Sequence, residues 1–159
     1  MDQELIALAG QLGSLLSAHG QKIATAESCT GGYIAQIITE IAGSSAWFDR
    51  GFVTYSNAAK VQMLAVNPAT LAEFGAVSPQ TAGEMAAGAL AHSDADCACA
   101  VTGIAGPGGG SAAKPVGTVF IAWAYKHKAV KVVQMQFVGN RHEIRKQTVE
   151  CALAGVELG

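Results

Sequence analysis

The sequence predicts a three-layer α/β domain, in which helices cover both faces of a mostly parallel sheet that has one antiparallel strand. Two observations predict this class. Apolar stretches with helical and with strand period alternate along the chain, and two strand candidates near its end are joined by a link too short for a crossover. The length of 159 residues fits one domain, residues 1–159, with a sizeable core.

The first elements follow from the spacing of leucine and isoleucine. Leucines between positions 5 and 16 recur with helical period, and Gly20 can end that helix. Residues 22–26 (KIATA) are a short strand candidate. The isoleucines at 34, 37, 38 and 41 then lie on one face of a second helix.

The middle of the chain contains a strand and two helix starts. FDRGFVTYS, from position 48, predicts a strand with Phe52 and Val53 as its apolar centre. Asn57 can cap a short helix after it. Ser78 and Pro79 mark another helix start, because they supply a cap residue and then a proline at the first helical position.

The last part of the chain predicts three strands and a helix. Residues 97–102 (CACAVT) are a buried strand candidate, and the segment GIAGPGGGSAAKPVG after it is too rich in glycine for regular structure. Strands near 116–125 and 129–138 form an antiparallel hairpin, since only a short link separates them. The final helix spans roughly 141–157.

Composition narrows the class of protein. Only 14% of residues are charged, against about 25% in an average soluble domain. This low value favours a homo-oligomer that buries one face. The net charge of −2, with no run of lysine or arginine, argues against a nucleic-acid partner. No apolar stretch reaches the roughly 18 residues of a membrane span, and the first residues have no basic region of a secretory signal, so the cytoplasm is the expected location.

The cysteines and histidines predict neither disulfides nor a metal site. The four cysteines are expected to be free thiols, and Cys97 and Cys99, two apart on a strand, would share one buried face. The four histidines are scattered and form no ligand pair at helical spacing.

The segment TAESCTGG lies where the first strand ends and the second helix begins. Open α/β sheets bind ligands at that edge, and the free N–H groups of a helix start favour an anion or a developing oxyanion. Ser28 is placed to be a nucleophile, and Gly31 and Gly32 let a ligand approach the backbone. Two alternatives stay open: Ser28 or Thr30 only caps the helix, or Cys29 is the nucleophile, although no histidine in this segment would activate it.

The segment TYSNAAK contains a tyrosine at a strand end and a lysine in the first turn of the next helix. The helix dipole disfavours a positive charge in that turn. Burial together with the dipole would lower the pKa of Lys60 and make a neutral amine available as a base, with Tyr55 close enough to share the proton. The alternative is a surface lysine beside a tyrosine at the sheet edge.

The glycine loop TGIAGPGGG follows the buried strand directly. Thr102 offers a hydroxyl at the strand end, and the glycines can present consecutive N–H groups to an anion. The loop has neither the phosphate-binding pattern of nucleoside triphosphatases nor that of dinucleotide-binding folds. A flexible connection is the alternative interpretation.

Two arginines open the final helix. Arg141 and Arg145 are four residues apart, so they share one helical face. Two guanidinium groups on one face suit a phosphate or a carboxylate, whereas the ordinary alternative is solvated salt bridges, with Glu143 nearby.

Six motifs in this order, AESCTGG, GFVTYSNAAK, GAVSPQTA, AVTGIAGPGGG, KPVGTVFIA and VGNRHEIR, resemble the CinA C-terminal domain family of bacterial nicotinamide-nucleotide amidases, over nearly the whole chain. The resemblance implies an α/β/α sandwich with a mixed sheet of about five strands. It also implies hydrolysis of nicotinamide mononucleotide to nicotinate mononucleotide and ammonia, without a metal or an organic cofactor. The chain resembles the stand-alone form of the family.

The resemblance also implies roles for individual residues. Ser28 would be the nucleophile, and Tyr55 and Lys60 would handle its proton. The implied substrate contacts are Glu27, Thr30, Gly31, Gly32, Thr102, Gly103, Gly106, Arg141 and Arg145. Two other functions stay open: a non-catalytic module that binds a nucleotide phosphate, and a partner protein linked to competence or DNA damage.

Overall fold

A computed structural model describes residues 2–158. Six α-helices and five strands are found within this range. The helices are α1 (Gln3–Ala18), α2 (Tyr33–Thr39), α3 (Asn57–Leu64), α4 (Pro68–Phe74), α5 (Pro79–Ala91) and α6 (Arg141–Ala154). The strands are β1 (Ile23–Glu27), β2 (Phe48–Val53), β3 (Cys97–Gly103), β4 (Thr118–Tyr125) and β5 (Lys131–Gln136).

The five strands form one mixed sheet in the order β2-β1-β3-β4-β5. β1 is parallel to both of its neighbours, β2 and β3. β4 is antiparallel to β3, and β5 is antiparallel to β4. Four strands therefore run in one direction and only β4 runs against them, which confirms the predicted sheet and its late hairpin.

Helices cover both faces of the sheet, as the sequence predicts. On one face, α1, α2 and α6 bury large aliphatic side chains, including Leu5, Ile34 and Ile144. On the other face, α5 packs its small residues against a sheet surface composed mainly of alanine. The small residues allow close approach: a Cβ atom added at Gly88 of α5 would lie 2.0 Å from the carbonyl oxygen of Leu64.

The second strand is shorter and more exposed than expected. β2 ends at Val53, and it forms one edge of the sheet. Phe52 is half-buried and packs against the alanine-rich cluster, whereas Val53 is exposed. Ser56, not Asn57, caps α3, since the Ser56 side chain accepts from the Ala59 amide.

One helix lies outside the predicted elements. In α4, Asn67 is the cap residue and Pro68 is the first helical residue. These two residues are the usual signal of a helix start, but the helix has only seven residues and buries none of them. Because this segment has no periodic apolar face, the Asn67-Pro68 pair alone did not predict a helix.

The cysteines are free thiols, as predicted, and Cys97 and Cys99 lie in the same apolar cluster. Within residues 2–158, no group of three or more histidine, cysteine or acidic side chains is arranged to hold a metal ion. Over the same range, every helix is too short or too polar to cross a membrane.

Candidate active site

The ends of β1 and β2 bring the first two candidate segments together. Ser28 follows β1 directly, and its amide donates to the carbonyl oxygen of Val101 on β3 at 3.1 Å. Thr54 follows β2, and its amide donates to the carbonyl oxygen of Glu27 at 2.8 Å. Since parallel strands end at the same edge of a sheet, Ser28 and the segment that leads into α3 become neighbours there.

Lys60 of α3 points back to this edge and contacts Ser28. Its Nζ atom lies 2.9 Å from Ser28 Oγ, 2.8 Å from the carbonyl oxygen of Thr54 and 3.4 Å from that of Tyr55. Lys60 is only 1% exposed, and no carboxylate within the described residues forms a salt bridge with it. Burial lowers the pKa of Lys60, which favours the neutral amine that can accept a proton.

The contacts of the TAESCTGG segment bear on its alternative interpretations. The cap position of α2 is Gly32, which has no side chain, and neither Ser28 nor Thr30 caps this helix. Burial raises the pKa of the Cys29 thiol to about 12. A thiol with this pKa stays protonated near neutral pH. Ser28 Oγ contacts the Lys60 amine, and within the described residues Cys29 makes no hydrogen bond to that amine.

A cavity of about 310 Å³ opens at Ser28. Its lining comes from five parts of the chain: the end of β1, the segment from β2 into α3, the segment before α5, the end of β3 with the glycine loop, and the start of α6. The lining residues are Ser28, Cys29, Tyr55, Lys60, Ala76, Val77, Thr102, Gly103, Ile104, Ala105, Gly106, Gly108, Gly109 and Arg141.

Tyr55 lies at this cavity, and its hydroxyl group contacts Arg141 rather than the serine–lysine pair. The Tyr55 side chain is largely exposed, and its hydroxyl accepts from Arg141 at 3.4 Å. Within residues 2–158, that hydroxyl makes no hydrogen bond to Ser28 or Lys60. Arg141 also donates to the carbonyl oxygen of Gly106 at 2.7 Å, so it joins the glycine loop to the tyrosine.

Several expected substrate contacts lie in a second cavity of about 320 Å³, which Thr30, Gly31, Gly32 and Arg145 help to line. The backbone turns there with positive φ angles of 60° at Gly31 and 106° at Gly32. Arg145 donates to the carbonyl oxygen of Thr30 at 2.7 Å. These residues therefore line a cavity other than the one that opens at Ser28.

Glu27 also does not line the Ser28 cavity, although the resemblance implied a substrate contact. Its carboxylate accepts from the Thr30 hydroxyl and from the first amides of α2. Both carboxylate oxygens are therefore used inside the protein.

Sequence reasoning missed the wall formed by Ala76 and Val77. Thr102 Oγ1 donates to the carbonyl oxygen of Ala76 at 2.8 Å. Lys114, from the end of the glycine loop, donates to the carbonyl oxygens of Phe74, at 3.2 Å, and Val77. The motifs GAVSPQTA and KPVG contain this wall and its lysine, but their residues carry no pattern that reveals a role.

A buried serine–lysine pair at the carboxyl edge of an α/β/α sandwich places the chain among α/β proteins with a potential acyl-transfer site. The chain belongs to the CinA C-terminal domain family, whose model matches residues 5–158.

Named relatives and solved structures agree with this family. The chain is 53% identical over 152 residues to nicotinamide-nucleotide amidohydrolase PncC of Escherichia coli (strain K12), covering 96% of this chain and 92% of the relative. A protein of the same name from Pseudomonas putida is 49% identical over 149 residues, with coverages of 94% and 92%. The crystal structure of competence/damage inducible protein CihA from Agrobacterium tumefaciens superposes with a TM-score of 0.93 at 52% identity, covering 98% and 93% of the two chains.

Proposed function

We propose that this chain is an amidohydrolase that converts nicotinamide mononucleotide to nicotinate mononucleotide and ammonia, with Ser28 as the nucleophile. The 2.9 Å contact between Lys60 Nζ and Ser28 Oγ in a buried site carries the proposal. The printed names of relatives near 50% identity over almost the full chain support the substrate.

The reaction has two acyl-transfer steps. Ser28 Oγ attacks the carboxamide carbon while its proton passes to the neutral Lys60 amine. Lys60 then gives that proton to the leaving nitrogen, so ammonia departs and an ester to Ser28 remains. Water, deprotonated by Lys60, attacks the ester and yields the carboxylic acid, and the proton returns to Ser28 Oγ. No metal or organic cofactor takes part in this scheme.

Backbone amides would hold the oxyanion that forms in each step. The amide of Ser28 donates to Val101 and is not free. The proposed donors are therefore amides of the neighbouring residue Cys29 and of the glycine loop, which line the same cavity. The proton would pass directly between Ser28 and Lys60. Tyr55 would stay beside Arg141 at the cavity and would not carry this proton.

Ammonia release tests the function. Purified protein incubated with nicotinamide mononucleotide is expected to form ammonia and nicotinate mononucleotide in equal amounts, measured by coupled ammonia assay and chromatography. A non-catalytic module would instead bind the nucleotide without forming either product, which isothermal titration would detect.

A phosphate contact at Arg141 gives a second prediction. Arg141 and the glycine loop lie at the Ser28 cavity, where the 5′-phosphate of the substrate would bind, whereas Arg145 lies at the other cavity. Nicotinamide riboside, which lacks the phosphate, is expected to have a kcat/KM lower by about 10- to 100-fold, the value of a charged hydrogen bond. Steady-state kinetics with both substrates measure this ratio.

Arg141→Ala provides the control for the phosphate. It should lower kcat/KM for the mononucleotide by a similar factor, about 10- to 100-fold, and change riboside hydrolysis far less. Equal kcat/KM values for the two substrates in the wild-type protein would contradict a phosphate site.

We also propose that the protein is a homo-oligomer in the cytoplasm and that it binds no nucleic acid. The low content of charged residues motivates the first point, and the net charge of −2 motivates the last. Arg145 is bound to Thr30 of its own chain, so the proposed assembly does not require an arginine from a neighbouring subunit.

A further inference from the structure

The residue before the nucleophile is a buried carboxylate. Glu27 is 1% exposed, and within residues 2–158 it forms no salt bridge. Burying an ionised carboxylate is unfavourable unless hydrogen bonds replace its water shell. The proposed mechanism does not use Glu27, so its burial needs another explanation.

Three donors replace the water around this carboxylate. Oε1 accepts from Thr30 Oγ1 at 2.5 Å and from the amide of Ile34 at 2.8 Å, and Oε2 accepts from the amide of Ala35 at 3.1 Å. The two amides belong to the first turn of α2, whose cap residue Gly32 offers no side chain. Glu27 thus caps α2, although it lies five residues before the cap position Gly32. The positive end of the helix dipole of α2 also favours a negative charge on the Glu27 carboxylate.

These contacts enclose the turn that contains the nucleophile. Glu27 lies before the turn, Thr30 lies within it, and Ile34 follows it, so one carboxylate ties together its beginning, middle and end. Ser28 lies inside this span, and its carbonyl oxygen accepts from the Gly31 amide at 3.1 Å.

Lys60 is held by a different set of contacts. The carbonyl oxygens of Thr54 and Tyr55 fix its amine, and both belong to the segment between β2 and α3. The Glu27 side chain makes none of these contacts with Lys60; the two sets of contacts meet through the backbone, where the Thr54 amide donates to the carbonyl oxygen of Glu27. A shift of the turn after Glu27 would lengthen the contact between Ser28 and Lys60, because the lysine keeps its two carbonyl partners.

We infer that Glu27 is a positioning residue for amide hydrolysis, which acts through Thr30 and the start of α2 to hold Ser28 within hydrogen-bond distance of Lys60. The inference rests on the proposed function of Ser28. It gives Glu27 no contact with substrate, in agreement with its absence from the lining of the Ser28 cavity.

Glu27→Gln tests the inference, because it keeps the size of the side chain and replaces one acceptor oxygen with an amide nitrogen. We expect kcat to fall by about 10- to 100-fold, because a small misplacement of a reacting group, here Ser28, has an effect of this size. KM should stay within about threefold, since no substrate contact is lost. The pH at which kcat/KM reaches half its plateau should also be unchanged, because Lys60 keeps its supports.

Thr30 offers a matched pair of variants. Thr30→Val removes the hydroxyl that donates to Glu27 and should lower kcat, whereas Thr30→Ser retains the hydroxyl and should restore most of it. In Glu27→Gln/Thr30→Val the two losses should be less than additive, because both variants break the same link. If Glu27→Gln does not fold, as judged by circular dichroism, the two Thr30 variants decide.

Two results would overturn the inference: wild-type kcat in folded Glu27→Gln, whether or not KM is raised, or equal kcat for Thr30→Val and Thr30→Ser. A crystal structure of Glu27→Gln, or of Thr30→Val, separates this inference from the proposed function. The distance from Ser28 Oγ to Lys60 Nζ should exceed about 3.5 Å whether or not the protein hydrolyses the nucleotide. If wild-type protein releases no ammonia but this distance still increases, only the proposed function fails.

Discussion

Ser28→Ala is expected to lower the rate of ammonia release from nicotinamide mononucleotide by about a thousandfold or more, because no other side chain can form the ester intermediate. The fold should be unaffected, since alanine fits where the serine side chain now lies and Lys60 keeps its two carbonyl partners. The measurement is the initial rate of ammonia release, with circular dichroism and thermal unfolding to confirm the fold.

Cys29→Ala is the matched control for this experiment. Cys29 lines the same cavity and directly follows Ser28, but its raised pKa keeps the thiol protonated. This variant should keep most of the activity. If Ser28→Ala retains more than about a tenth of wild-type turnover, a barrier change under ~1.4 kcal/mol, Ser28 is not the nucleophile.

Lys60→Arg is expected to be nearly inactive, with a loss comparable to that of Ser28→Ala. A guanidinium group keeps its proton at any working pH, so it cannot accept the proton of Ser28. Lys60→Ala should fail as well, because it provides no base. Initial rates of ammonia release for both variants, with thermal unfolding as the test of the fold, check this result.

The pH dependence of the wild-type protein gives an independent test of Lys60. Burial lowers the pKa of Lys60, and the productive form in the free protein is the neutral amine. Activity as kcat/KM should therefore rise with pH, following deprotonation of the amine, and level off above the lowered pKa. If Lys60→Arg keeps most of the activity, the residue only supplies positive charge, and another group takes the proton from Ser28.

Local patterns in the sequence predicted most of the fold. Helical spacing of leucine and isoleucine predicted α1 and α2, the Ser78-Pro79 pair predicted α5, and the short link after β4 predicted the antiparallel hairpin. These features depend on residues close together in the chain, so they can be predicted without knowing which other elements pack against them. The edge position of β2 could not, because it depends on which strands lie beside it.

The candidate site shows the same division. Ser28 and Lys60 could be named from their positions after a strand and in the first turn of a helix. The roles of Glu27 and Arg145 could not, because their contacts depend on the path of the turn between β1 and α2. Arg145 and Thr30 are 115 positions apart in sequence, and no local pattern indicates that they bind each other.

The sequence by itself determined the layered α/β class, the order of most elements and the segments that supply the reactive groups, because spacing and helix-start residues act over a few positions. Only the tertiary structure decided that Lys60 contacts Ser28, that the Tyr55 hydroxyl contacts Arg141, and that the Glu27 carboxylate accepts from Thr30 and the start of α2. Those outcomes depend on distances between separate segments and on burial, which also lowers the pKa of Lys60. Both are properties of the packed chain as a whole.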